Sequence, residues 1–138
     1  MIEQPQANST DLSKFFRFGA IGVVGFGVDA AVLQAAISLF AISPYAGRVA
    51  SYLAAATTTW WLNRNVTFRE TLHIKPARQW ARFLVVNMTG GIANYAVFAA
   101  LVATVQAVAL HPVLGVAAGS LTGLVFNFLL SKKFAFTV

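Results

Sequence analysis

Asp29 is the only acidic residue deep inside a long apolar stretch of this sequence, and Arg48 follows it just past the Ser43-Pro44 break. A carboxylate at the centre of a membrane costs about 2.5–3.5 kcal/mol on insertion scales, so such a group must be protonated, hydrated or paired. Arg48 is the candidate partner, because it opens the next apolar run from the opposite side and its long side chain reaches inward. The pair is either a clamp between adjacent helices or a charged station for polar groups. Asn87, Asn94 and Asn127 interrupt the other apolar runs. Amides there suit hydrogen bonds between helices. A third set closes two of the runs: Trp60-Trp61-Leu62 leads into Asn63 and Arg64, and Phe128-Leu129-Leu130-Ser131 leads into Lys132 and Lys133. Rings beside cations are ordinary anchors at a membrane interface, and the same cations bind phosphate oxygens. No glycine-rich phosphate loop with its lysine occurs, so ATP hydrolysis is not expected. His73 and His111 fall on opposite sides of the inferred membrane, and cysteine is absent. No metal, cofactor or enzymatic activity is expected.

The elements that must position these residues follow from composition. Of 138 residues, 58% are hydrophobic and only 10% charged, against about 25% charged in soluble domains, and the mean hydropathy is +0.70. A soluble domain would need more polar surface, a disordered chain would be poor in aliphatics, and a disulfide scaffold needs cysteines. An all-α, polytopic membrane protein remains. A transmembrane helix takes about 20 residues. No Lys, Arg, Asp or Glu occurs from Phe83 to Ser131, which suits two helices parted at His111-Pro112, since proline disfavours helix in the residue before it. Ser43-Pro44 divides the first half likewise. Four helices are predicted, about 16–40, 45–64, 83–105 and 112–131. Every lysine and arginine except Arg48 falls on one side of that topology, which makes both termini cytoplasmic by the positive-inside rule. The net charge of +6 is then topology and attraction to anionic lipid, with no call for nucleic acid. Residues 1–14 are polar and lack the features of a signal peptide. They read as a short cytoplasmic tail before a membrane domain over 15–138, with Thr10 or Asp11 capping a turn.

An internal repeat is visible. At an offset of 65, Arg17-Phe18 falls on Arg82-Phe83, Gly25 on Gly90 and Asp29 on Asn94; at 68, Gly47 falls on Gly115, Leu62 on Leu130, Arg64 on Lys132 and Phe68 on Phe136. The pattern predicts a parallel repeat of two-helix units, with its pseudo-axis along the membrane normal. Small residues recur every four positions from Gly115 through Gly119 and Gly123, a spacing that keeps one helical face and lets another backbone approach closely.

In this order and spacing, Phe15-Phe16-Arg17-Phe18-Gly19-Ala20-Ile21-Gly22 with Asp29, then Asn63-Arg64-Asn65-Val66-Thr67-Phe68, then Arg82-Phe83, and finally Asn127 to Phe136 resemble the GtrA-like membrane proteins over about 14–137. Thr59 departs from the asparagine often found in the second span of that family. The resemblance implies four membrane helices in the cytoplasmic membrane. It also implies work on polyprenyl-phosphate-linked sugars, such as undecaprenyl-phosphate-glucose, for cell-envelope polysaccharide. The expected activity is flipping of that lipid. Arg64, Lys132 or Lys133 would meet the phosphate at the inner surface and Arg48 near the outer one. Asp29, Asn94 and Asn87 would meet sugar hydroxyls, with Asn63 and Asn127 in the same polar seam. Four helices enclose little volume, so a homo-oligomer, a dimer foremost, is expected. A rival reading is an anchor and presenter for a family 2 glycosyltransferase, docked through the basic segment Arg69 to Arg82. A lesser one is a small multidrug-type exporter using Asp29, against which the parallel repeat and the missing glutamate argue.

Overall fold

Proline and charge punctuate the chain into helices of two lengths. The structure, a computed structural model, describes residues 7–137. It divides into two units, Met1–Ile74 and Lys75–Val138. Among the described residues every regular element is helical.

In the first unit, α1 spans Ala7–Phe40. It ends at Ala41, whose φ of 51° is the left-handed conformation that stops a helix, and Ile42 N–H returns to the Ala36 carbonyl at 3.1 Å. The helix α2, Pro44–Leu62, starts at once: proline is preset for a first turn, and Ser43 Oγ accepts from Ala46 N–H. It then widens into a π-helical turn, Asn63–Thr67, closed by Phe68 N–H donating to the Asn63 carbonyl at 2.8 Å. A 3₁₀ turn, Arg69–Thr71, completes the unit's regular structure.

The second unit repeats this order. The helix α3 spans Pro76–Thr104, a short α4 spans Gln106–Leu110, and α5 spans Pro112–Leu130. A π-helical turn, Ser131–Ala135, again follows, with Phe136 N–H donating to the Ser131 carbonyl at 2.7 Å. The elements Pro44–Leu62 and Asn63–Thr67 thus recur at the offset of 68.

Both units hold their helix pairs together by close approach at glycine. A Cβ on Gly25 of α1 would lie 2.3 Å from Thr59 Cγ2 of α2, and one on Gly90 of α3 would lie 1.8 Å from Asn127 Oδ1 of α5. On α5, a Cβ on Gly119 would meet the Asn94 carbonyl oxygen at 2.6 Å. Only glycine leaves that space, so the four-residue spacing marks the packed face. Phe68 and Phe83 are buried, and Phe83 meets Phe136 edge-on at 5.7 Å.

Several expected boundaries move. The first helix begins at Ala7, so Thr10 and Asp11 lie within it and do not cap it; residues 1–6 of the expected tail lie outside the described residues. The third helix begins at Pro76, well before Phe83, because proline at the start of a helix costs nothing there. By length and composition, two described helices can cross a membrane, Thr10–Phe40 and Pro76–Thr104, where four are expected from the sequence. Arg48 and the run Thr57-Thr58-Thr59 lower the hydropathy of α2.

Candidate functional site

The second unit carries a groove of about 700 Å³ between the start of α3 and the end of α5. Arg82, Val85, Val86 and Thr89 contribute from α3, a spacing that puts them on one helical stripe. Leu130, Lys133 and Phe134 contribute from α5 and its π turn. The extra residue of a π turn breaks the α-helical register and re-aims the side chains that follow. Lys133 Nζ lies 5.3 Å from the Phe134 ring centroid. The groove therefore offers two basic side chains beside an apolar wall. That arrangement suits an amphiphile with an anionic head and a hydrocarbon tail.

At the corresponding end of the first unit the polar side chains are engaged internally. Arg64 is only 8% exposed. Its Nη2 donates to the carbonyls of Leu72 at 2.7 Å and Ile74 at 2.9 Å, and its guanidinium lies 6.0 Å from the Trp60 ring centroid. Thr67 Oγ1 donates to Asn63 Oδ1 at 2.9 Å. Lys14 bonds Glu70 and lies 5.4 Å over the Phe68 ring. Burial works to raise the Glu70 pKa, but the Lys14 hydrogen bond, a backbone bond and the Lys14 charge outweigh it and hold the carboxyl below its ordinary value.

Farther along the first unit, Arg48 Nη1 donates to Asp29 Oδ2 at 2.7 Å. Asp29 is 17% exposed and Arg48 60%, so the pair has one anchored and one accessible member. The other carboxylate oxygen, Oδ1, is buried with no hydrogen-bond partner, as is Tyr52 Oη. Arg48 and Tyr52 stand four residues apart on α2, one turn along one face.

The remaining sequence candidates are dispersed. Asn87 Nδ2 donates to the Phe83 carbonyl of its own helix at 3.0 Å, so that donor does not bridge two helices. Asn94 and Asn127 pack into the glycine gaps of the α3–α5 contact. Asn127 Oδ1 and Ser131 Oγ are buried without partners. Lys132 is half-buried, and Lys133 alone of the candidates lines the groove. Sequence reasoning missed Arg82 as a site residue and counted it only toward topology. The stripe Arg82, Val85, Val86, Thr89 was the signal available.

The family profile described as GtrA/DPMS, transmembrane domain, matches residues 17–136. The chain belongs to this family. Membership makes it a GtrA-like membrane protein related to polyprenyl-phosphate sugars, from a group of generally non-catalytic membrane domains. The match begins at Arg17 and ends at Phe136, and so takes in both helix pairs and both π turns. No curated protein sequence matches the chain.

Proposed function

We propose that this GtrA-like protein carries a polyprenyl-phosphate-linked sugar across the cytoplasmic membrane, supplying cell-envelope polysaccharide synthesis or modification. One observation carries the reading: a groove that joins two cations, Arg82 and Lys133, to an apolar wall of Val85, Val86, Leu130 and Phe134. A polyprenyl phosphate has those two parts in that order. The cations bind phosphate oxygens, and the wall continues the hydrocarbon for the chain. In this reading α2 and α5, each 19 residues and so about 28 Å long at 1.5 Å per residue, complete a four-span parallel repeat with both termini cytoplasmic. The protein works as a dimer.

The costly step is bringing a phosphate and several hydroxyls through hydrocarbon, where an unpaired polar group costs several kcal/mol. The Asp29–Arg48 pair lowers that cost from the first unit. Arg48 is the exposed member and exchanges its carboxylate for the lipid phosphate, while Asp29 accepts from sugar hydroxyls. Lys132 stands next to Lys133 of the groove, Asn94 and Asn127 form a polar seam along the α3–α5 contact, and Asn63 stays with Thr67 in the first unit. Arg64 changes role from the one its position suggested: engaged with two loop carbonyls, it positions the loop and does not contact phosphate. Without a nucleotide site the movement runs downhill, drawn by consumption of the sugar outside.

Liposomes containing only this protein test the reading, with an impermeant probe of a polyprenyl-phosphate hexose in the outer leaflet. Protein-dependent movement that Arg48→Ala abolishes, with insertion and assembly intact, is the expected result. Absence of movement from correctly inserted protein would overturn it and favour the second reading, a presenter for a family 2 glycosyltransferase. The observation behind that reading is the exposed segment holding Arg69, Leu72, His73, Lys75 and Arg78, and its test is co-purification with the transferase, lost when Arg69, Lys75 and Arg78 are neutralised.

A further inference from the structure

A second, smaller cavity of about 270 Å³ lies in the second unit, lined by Gly91, Asn94, Tyr95, Phe98 and Ser120. Its walls combine two kinds of group. Tyr95 and Phe98 present rings tilted by 40° with centroids 6.4 Å apart. Asn94 and Ser120 present an amide and a hydroxyl, and neither makes a side-chain hydrogen bond among the described residues. Gly91 forms an open floor, since a Cβ there would meet nothing within 4 Å.

The depth of this cavity makes its polarity expensive. At about 1.5 Å per residue, Tyr95 lies about 20 Å along α3 from Arg82, well into a hydrocarbon layer about 30 Å thick. Tyrosine ordinarily sits at the interface, where its hydroxyl meets water. Here Tyr95 is 71% exposed, beside an unpartnered amide and hydroxyl. Asn94 borders the Gly119 gap as well as the cavity, and packing accounts for its small size but not for its unpartnered amide. A polar ligand satisfies that amide and the hydroxyl, and the ligand must combine apolar faces for the rings with hydroxyls for the amide.

We infer that this cavity holds the sugar ring of the lipid in mid-membrane. A hexose has C–H faces that lie against aromatic rings, which favour offset and edge contacts, and vicinal hydroxyls that match an amide's donor and acceptor. The cavity's size stands near the lower end of the range for small-ligand sites, about 300–1,000 Å³, as one ring requires. At 3.6 residues per turn, its α3 residues and those of the phosphate groove lie on opposite sides of the helix. One lipid therefore cannot fill both at once, and the groove and the cavity act in succession. The choice of ligand rests on the polyprenyl-phosphate-sugar reading above, but its test does not require transport.

The full-length protein, purified in a glycoside-free detergent, is photolabelled with an alkyl glucoside carrying a diazirine on the sugar. Peptide mass mapping then locates the adduct. A parallel probe has the same alkyl chain and diazirine without the sugar. The expected result is sugar-dependent labelling of 91–98 and the peptide around Ser120, reduced about tenfold in Tyr95→Leu/Asn94→Leu, the combined loss of a stacking contact and a hydrogen bond. Tyr95→Phe, which keeps the ring, retains most labelling and guards against a folding defect. Equal labelling by the sugar-free probe would make the cavity an acyl-chain site and overturn the inference. So would labelling unaffected by the double variant, or a change of oligomeric mass in that variant, which would mark a helix contact. Labelling as expected with no lipid movement in liposomes would leave the cavity standing and remove the flipping function.

Discussion

At the end of α2, Asn63 is bonded to Thr67, and Arg64 is folded back onto the carbonyls of Leu72 and Ile74. At the end of α5, 68 residues on, Ser131 Oγ has no partner, as does Asn127 Oδ1 one turn before it, and Lys133 stands exposed at the groove with Arg82. The two helix pairs are built alike, each with a glycine gap and a π turn, yet at the π-turn end the first bonds Asn63 and Arg64 internally and the second leaves Asn127 Oδ1 and Ser131 Oγ unbonded. The difference teaches a division of labour. The first unit contributes an internally bonded end and a charged station, Asp29–Arg48, and the second contributes the groove and the smaller cavity.

The largest effects are expected at the glycine gaps. Gly119→Ala drives a Cβ against the Asn94 carbonyl oxygen, a backbone atom, and should cost about 1–3 kcal/mol as overpacking does, with a matching fall in the thermal midpoint. Removing the Asn94 side chain should not rescue it. Gly25→Ala meets the Thr59 methyl instead, so Thr59→Ser should rescue it substantially. Gly91→Ala, which meets nothing, should leave the stability unchanged or raise it by up to about 1 kcal/mol, since alanine is the better helix former. Equal sensitivity at all three would mean the two contacts are not built as described.

Arg64→Ala removes the donor that ties the π turn of the first unit to its loop. It should destabilise the loop by about 1–3 kcal/mol, because two carbonyl acceptors lose a charged donor. Hydrogen exchange should rise over 63–75 while affinity for a lipid phosphate stays within a factor of two or so. A large loss of lipid affinity with a quiet loop would restore Arg64 as a phosphate contact.

The Lys14–Glu70 link should show in pH. Its carboxyl is held below the ordinary value, so the link contributes fully above the unfolded glutamate pKa, about 4.3, and is lost as pH falls through the lowered folded value. Exchange over the same loop should therefore increase only in acid, and Glu70→Gln should abolish the pH dependence. The side chain is half-exposed, which limits the effect to about 1 kcal/mol or less. Smallest of all, Ala41→Gly should stabilise the first unit by about 1 kcal/mol, since alanine there occupies a left-handed conformation. A lower midpoint would contradict that.

Much of this was legible in the residues. Proline at 44 and 112 marks two helix starts, because fixed φ and a missing N–H are local properties that tertiary context seldom overrides. The pairing of Asp29 with Arg48 was also legible, since each needs a partner in an apolar setting. Residues 7–14 read as tail because their polarity argues against a membrane span, yet a polar sequence can extend a helix outside the bilayer. The inward turn of Arg64 depends on where the 69–74 segment folds back, which spacing does not encode. Arg82 and Lys133 are far apart in sequence and come to line one groove through the α3–α5 contact and a π turn, whose extra residue shifts the side-chain register. Tyr95 and Phe98 passed as apolar surface, because their meaning comes from Asn94 and Ser120 beside them.

The most direct measurement is the affinity of the purified protein for polyprenyl phosphate, compared between Arg82→Ala/Lys133→Ala and Arg64→Ala at equal folded fraction. At least a tenfold loss is expected in the double variant, about the effect of removing one charge-assisted contact to phosphate, with little change in Arg64→Ala. The opposite order would contradict this expectation and move the phosphate site to the first unit.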